Sequence, residues 1–198
     1  MNMKQKNARI GSEAPAVSYL LGESSLDMVL VAQTPRGVCA IFMGEDSDAL
    51  ERALQKLYPN ARRADTRHAS PNVKGVFAKI IAFIDAPAHE LDIALDLHGT
   101  EFQQQVWQAL RQVPLGHRAT YAEIARAIGR PTASRAVAGA CAANRVSLAV
   151  PCHRIVRSDG GLSGYRWGVA RKRALLEREA AARGQQLIFE TSSLSGKS

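Results

Sequence analysis

Between Leu91 and Thr100 the apolar repeat of this chain changes, and that change constrains its fold more than any other feature. Up to Leu97 the large residues Leu91, Ile93, Leu95 and Leu97 alternate with Asp92, Ala94 and Asp96, the period of an extended segment. Beyond His98-Gly99 the repeat lengthens to that of a helix, with Phe102, Val106, Ala109, Leu110 and Val113 on one face. A chain that switches period in this way packs as two units, one on a sheet and one of helices. The boundary is placed at residues 92/93.

The first unit, 15–92, follows a polar stretch, 1–14, that has no periodicity and is expected to be a flexible leader. Two strand patterns, Leu26–Gln33 and Val38–Met43, flank Thr34-Pro35-Arg36-Gly37, where proline second and glycine fourth suit a tight turn. Tyr19–Leu21 can add a third strand. Leu50, Ala53, Leu54 and Leu57 then recur at helical spacing, with Ser47 as the expected cap and Pro59 as the stop. A second helix carries Val73, Val76, Phe77, Ile80, Ile81 and Ile84 and ends before Pro87. The expectation is a small antiparallel sheet with helices packed on it.

The second unit, 93–183, is helical. Thr100 with Gln103, and Thr120 with Glu123, have the spacing of capping boxes, each opening an apolar-faced helix. Pro114 and Gly116 stop the first helix, and Gly129-Arg130-Pro131 breaks the second after Tyr121, Ile124, Ala125 and Ile128. A third helix is expected over residues 133–143, and two short helices across a glycine turn outline a helix-turn-helix. That third helix is almost without bulk, with Ala133, Ser134, Ala136, Ala138, Gly139, Ala140, Ala142 and Ala143, and Arg135 is the one large residue near its start. Small residues pack closely either against a partner or inside the protein. The last helix is expected over residues 169–183, where Leu175, Leu176 and Glu179 share a face that turns the carboxylate inward. The polar tail 184–198 is expected to be disordered.

With 198 residues, 46% hydrophobic and 22% charged, the chain is long enough to bury a full core. It holds no apolar run of membrane-spanning length and no opening signal segment, so a soluble, cytoplasmic protein is expected. Cys39, Cys141 and Cys152 fall at unrelated spacings without a Cys-x-x-Cys pair, which argues against zinc ribbons and disulfide frameworks. Residues 1–92 hold 11 Lys/Arg and 11 Asp/Glu, whereas 93–198 hold 15 and 7 and carry the entire net charge of +8. One basic half suits a polyanionic partner on one side, or a solvated basic surface.

The chemistry centres on Pro151-Cys152-His153-Arg154, directly after the apolar run Leu148-Ala149-Val150. A thiol is a strong nucleophile only as thiolate, so a reactive cysteine needs a base or a positive field. The sequence places an imidazole next to it, in the basic half. Taken alone, a buried structural cysteine would read the same way.

Four segments together narrow the reading: Phe102-Gln103-Gln104-Gln105-Val106-Trp107, Ala140-Cys141-Ala142-Ala143-Asn144, Pro151-Cys152-His153-Arg154 and Leu162-Ser163-Gly164-Tyr165-Arg166-Trp167-Gly168. With them the chain resembles the O6-alkylguanine-DNA alkyltransferases (methylated-DNA–protein-cysteine methyltransferases), most closely the bacterial adaptive-response branch, from about Val17 to Arg183. The resemblance implies an α/β N-terminal domain with a small antiparallel sheet, RNase H-like, and a mostly α C-terminal winged-helix domain. It implies suicide transfer of the alkyl group from O6-alkylguanine, with O4-alkylthymine as a second candidate, to cysteine. It also implies double-stranded DNA bound through the minor groove by a monomer, the damaged base flipped out.

Carried over by position, Cys152 is the acceptor, His153 the base acting through a bridging water, Glu179 the carboxylate orienting it, and Asn144 the brace of the active-site turn. Tyr121 and Tyr165 line the base pocket. Arg135 enters the base stack, on a helix where Ala133, Ser134 and Ala138 meet the groove, and Arg166 joins the base-binding set. Adaptive-response members carry a further zinc domain with four cysteines. Nothing comparable is present around Cys39, His68 or His89, so neither metal nor other cofactor is expected. Two other classes compete: a DNA-binding module without chemistry, which would lack the acceptor cysteine, and a Cys-His hydrolase, which would leave the helix-turn-helix without a purpose.

Overall fold

The computed structural model describes residues 16–194 apart from Thr66 and Ser163, and side chains as far as residue 184. The expected leader, 1–14, lies outside the described residues. Strands β1 (Ser18–Ser24), β2 (Asp27–Thr34) and β3 (Gly37–Gly44) form an antiparallel meander. A two-residue β4 (Arg62–Arg63) adds to β1 in parallel, so the sheet runs β3-β2-β1-β4 and is mixed. So short a strand carries no period of its own for a sequence to display.

The apolar runs of β2 and β3 are nearly continuous because both sheet faces are covered. Val29, Val31, Ile41 and Met43 meet Ile80, Phe83 and Ile84 of α2 (Pro71–Asp85), while Leu30, Ala32, Ala40 and Phe42 meet Leu50 and Leu54 of α1 (Ser47–Leu57). Buried at about 25 cal/mol per Å² of apolar surface, such contacts dominate the stability of this half. The cap of α1 is Asp46 and not the expected Ser47: Asp46 holds the extended backbone a cap needs, and its carboxylate accepts from Asp48 N at 2.9 Å. Ser47 is thereby the first helical residue.

The alternating segment 91–97 is extended but forms no strand of its own. It docks on the open edge of β3 through Val38 N to Ala94 O and Asp96 N to Val38 O, each 2.9 Å. Asp96 departs from the polar-outward alternation: it is buried, and its carboxylate accepts from Thr34 Oγ1 at 2.6 Å and pairs with Arg36.

Helices α3 (Glu101–Leu110), α4 (Tyr121–Ala127) and α5 (Ser134–Ala142) form the second half, and both capping boxes are made. Gly129, at φ +72, turns the chain between α4 and α5, a conformation other residues rarely adopt. Trp107 Nε1 donates to Ala140 O at 2.9 Å and ties α3 to α5. Strands β5 (Ala119–Thr120) and β6 (Ile155–Val156) pair in parallel beside these helices.

Helix α6 (Val169–Leu194) runs beyond Arg183, through part of the stretch expected to be a disordered tail. No proline or paired glycine follows Arg183 to stop it, and a lone Gly184 costs a helix only about 1 kcal/mol. Among the described residues no helix is long and apolar enough to cross a membrane.

The two halves share one core. Val146, Leu148, Ala149 and Leu175 pack with Val29, Val31 and Ile41 of the sheet and Ile80 and Ile84 of α2. The turn that leads into Cys152 is therefore seated on the N-terminal sheet.

Candidate active site

The turn between α5 and Cys152 is built on Asn144, which is 2% exposed. Its Nδ2 donates to Val150 O at 2.8 Å and to Cys152 Sγ at 3.2 Å, while its Oδ1 accepts from Val146 N at 2.9 Å. One side chain thus closes the loop at both ends and touches the sulfur. The sheet holds the same loop from outside, because Ile41 N donates to Arg145 O at 2.8 Å. Leu148 is forced to φ +70 within it, a left-handed conformation that a leucine sustains only where its surroundings over-determine it.

Cys152, His153 and Arg154 form one turn of 3-10 helix, all three buried. Burial pushes the Cys152 thiol up, opposed by the Asn144 amide, the Lys172 ammonium, its own backbone N–H and the Arg166 guanidinium. Burial likewise raises the Cys39 thiol to about 11 and the Cys141 thiol to about 12. Lys172 is itself fully buried, donates from Nζ to Ile155 O and so pins the end of this turn.

His153 Nε2 lies 2.8 Å from Glu179 Oε1, with both side chains fully buried. Burial alone would raise the Glu179 carboxyl, but hydrogen bonds and charges from His153 and Arg154 outweigh it and bring the group down to about 2. An ionised carboxylate can only accept, so Nε2 carries a proton toward it and Nδ1 is the ring nitrogen that faces away from Glu179. That Nδ1 is buried without a hydrogen-bond partner among the described residues.

Glu179 has three further donors. Arg154 Nε and Nη2 reach its two oxygens at 3.0 and 3.1 Å, and Gly116 N donates to Oε2 at 3.3 Å. Arg154 in turn donates from Nη1 to Val113 O at 2.6 Å and to Glu90 at 3.2 and 3.1 Å. Gly116 sits at φ +72, and a Cβ there would meet Glu179 O and Arg183 Cβ at 2.9 Å each. The helix stop read from the sequence is thus also what lets the loop reach the carboxylate.

Tyr165 stands beside this centre, its ring edge-on to His153 at 6.5 Å between centroids. Its hydroxyl is buried next to Ser147 without a hydrogen bond of good geometry, and Ser147 Oγ is taken by Trp167 Nε1 at 2.5 Å. Tyr121 opens α4 and packs, like Tyr165, on the cluster that contains Cys152. Arg166 is exposed, with its guanidinium over the rings of Phe42 (5.9 Å) and Trp167 (5.4 Å) and a 3.5 Å contact to Ala142 O. On α5, Arg135 is exposed in the first turn, while Ala133, Ser134 and Ala138 are half-buried.

The structure therefore gathers Cys152, His153, Glu179, Asn144, Tyr165 and Arg166 at one place, while Arg135 stands on the outer surface of the helix-turn-helix. Sequence reasoning gave no role in the site to Arg154, Lys172 or Glu90, and read Gly116 only as a helix stop. Lys172 was within reach of it, since residues 172, 175, 176 and 179 lie on one helical face. Among the described residues no three His, Cys, Asp or Glu side chains group to hold a metal ion.

Comparison with known proteins supports a lineage. Residues 101–181 match the family described as 6-O-methylguanine DNA methyltransferase, DNA binding domain. The bifunctional transcriptional activator/DNA repair enzyme Ada of Escherichia coli is 47% identical over 91% of this chain, which spans about half (50%) of Ada's length. The methylated-DNA–protein-cysteine methyltransferase of Mycobacterium bovis is 42% identical over 65% of this chain and 77% of its own. The crystal structure of Mycobacterium tuberculosis OGT in complex with DNA superposes with a TM-score of 0.70 at 33% identity, covering 83% of this chain and 94% of that one. A buried cysteine beside a histidine–carboxylate pair, joined to a helix-turn-helix, and these likenesses converge: the chain belongs to the methylated-DNA–protein-cysteine methyltransferase family.

Proposed function

We propose that this protein repairs DNA by direct reversal, moving the alkyl group of O6-alkylguanine in double-stranded DNA onto Cys152. The observation that carries this reading is the buried pairing of His153 with Glu179 beside a cysteine held by Asn144. His153, with its lone pair on Nδ1, takes the thiol proton through a bridging water. The thiolate Sγ attacks the alkyl carbon, the carbon–O6 bond breaks with its electron pair going to oxygen, and the proton ends on guanine. A thioether on cysteine has no hydrolytic exit comparable to that of a thioester, so each molecule acts once.

The substrate follows from access. O6 faces the major groove inside the base stack, out of reach of the buried Cys152, so the nucleotide must be flipped out. The small-residue surface of α5, with Ala133, Ser134 and Ala138, fits closely into the minor groove. Arg135 fills the gap in the stack, and Tyr121, Tyr165 and Arg166 bound the pocket that receives the base. The net charge of the 93–198 half supplies contacts to phosphate that are indifferent to sequence. In this reading the protein is a cytoplasmic monomer whose units divide near residue 92, and it requires no cofactor.

The test is to incubate the protein with duplex DNA bearing O6-methylguanine and measure its intact mass. A gain of one methylene on the peptide holding Cys152, reaching a plateau at about one per molecule, is expected. Sustained turnover, or no gain with intact DNA binding, would overturn the reading.

A further inference from the structure

We infer that Glu90, in the segment joining α2 to α3, is a positioning residue for this transfer: through Arg154 it supplies the negative charge that lets His153 hold the thiol proton. The inference rests on the reading of Cys152 as acceptor and His153 as its base. Its starting point is a count of charges along one chain of contacts. Glu179 faces His153 but is also bound by both Nε and Nη2 of Arg154. One anion and one cation cancel, so the Glu179–Arg154 pair alone offers a protonated imidazole little net attraction.

Glu90 restores the balance. Both its oxygens contact Arg154 Nη1, at 3.2 and 3.1 Å, and Oε1 also accepts from Leu115 N at 2.5 Å. With Glu90 included, the relay Glu90–Arg154–Glu179–His153 is neutral only when His153 carries its second proton. No other carboxylate among the described residues contacts this relay. The remaining charged groups act on the sulfur: Lys172 from α6 and Arg166 from the loop before it favour the thiolate, and being cations they oppose a protonated His153. Tyr165 faces the ring as a neutral edge. The uncancelled negative charge on the histidine side of the relay is therefore Glu90's.

Solvent limits the effect, since the Glu90 side chain is 55% exposed against 1% for Arg154. A screened contact of this kind shifts an ionisation by roughly half a unit.

The experiment uses the full chain with Glu90→Gln, which keeps an acceptor for Leu115 N and removes only the charge. Single-turnover methyl transfer and iodoacetamide alkylation of Cys152 are followed across pH, beside duplex affinity and thermal melting. Removing an anion moves the ionisation of both His153 and Cys152 to lower pH, so we expect both pH profiles to move down by roughly half a unit. Transfer at neutral pH should slow about threefold because His153 holds the thiol proton less well, with affinity and melting little changed. Glu90→Asp should recover part of the rate. An unchanged pH profile, with or without lost stability, would overturn the inference and leave Glu90 a brace for Leu115. His153→Ala separates the two levels: if it too leaves the thiol profile unmoved, the base assignment fails, whereas a profile that follows His153 but not Glu90 sinks only the present inference.

Discussion

His153 Nε2 and Glu179 Oε1 meet at 2.8 Å inside the protein, and this contact, together with those from Arg154, holds the carboxylate ionised. Glu179, brought down to about 2 from an ordinary 4.5, favours the folded state whenever its unfolded counterpart is ionised. That stability is present in full above about pH 4.5 and is lost as pH falls through about 2. It amounts to on the order of 3 kcal/mol. Glu179→Gln should lose at least that much at neutral pH, because Arg154 is left buried with half its partners, and should flatten the acid limb. Urea melts at a series of pH values test this, and parallel curves for the two proteins would contradict it.

Asn144→Ala removes the donors to Val150 O and Cys152 Sγ and the acceptor for Val146 N at once. A loss of about 2 kcal/mol is expected, since buried Val146 N loses its partner and Val150 O keeps only Cys152 N. The thiol also loses an opponent of its burial, so its reaction with an alkylating probe should shift to higher pH. A variant that melts earlier but keeps the wild-type thiol profile would limit Asn144 to bracing the loop.

Gly116→Ala places a Cβ 2.9 Å from Glu179 O and from Arg183 Cβ, at a φ of +72. The cost should exceed about 1 kcal/mol, and displacement of Gly116 N from Glu179 should slow transfer as well. Calorimetry and single-turnover rates measured together check the link. Lost stability with an unaltered rate would separate this loop from the transfer step.

Arg135→Ala distinguishes a stack-filling side chain from a phosphate contact. Unstacking costs a few kcal/mol, so a plug acts on flipping and its removal should slow repair of duplex DNA severely, with far less effect on free O6-alkylguanine base. A phosphate contact would instead lower the salt slope of binding by about one unit on every duplex. Rates on the two substrates, with binding against salt, decide between them.

Local patterns made much of this protein legible. The hairpin around Thr34–Gly37, the two capping boxes and the inward face of Leu175, Leu176 and Glu179 depend on residues within a few positions of one another. Local steric and hydrogen-bonding rules suffice for these. The spacing of Asn144, Cys152 and His153 was readable for the same reason, since one short loop holds all three.

The sequence by itself thus determined most of the elements, their polarity and the short loop that holds Asn144, Cys152 and His153 together. It could not show that Glu90 reaches Arg154 across 64 positions, that Asp96 turns inward to Thr34 across 62, or that the edge of β3 holds Arg145. A charged residue becomes buried only when its counter-charge and hydrogen-bond partners arrive with it. Those partners come from other elements, so tertiary structure alone decided which carboxylates serve the site and which face water.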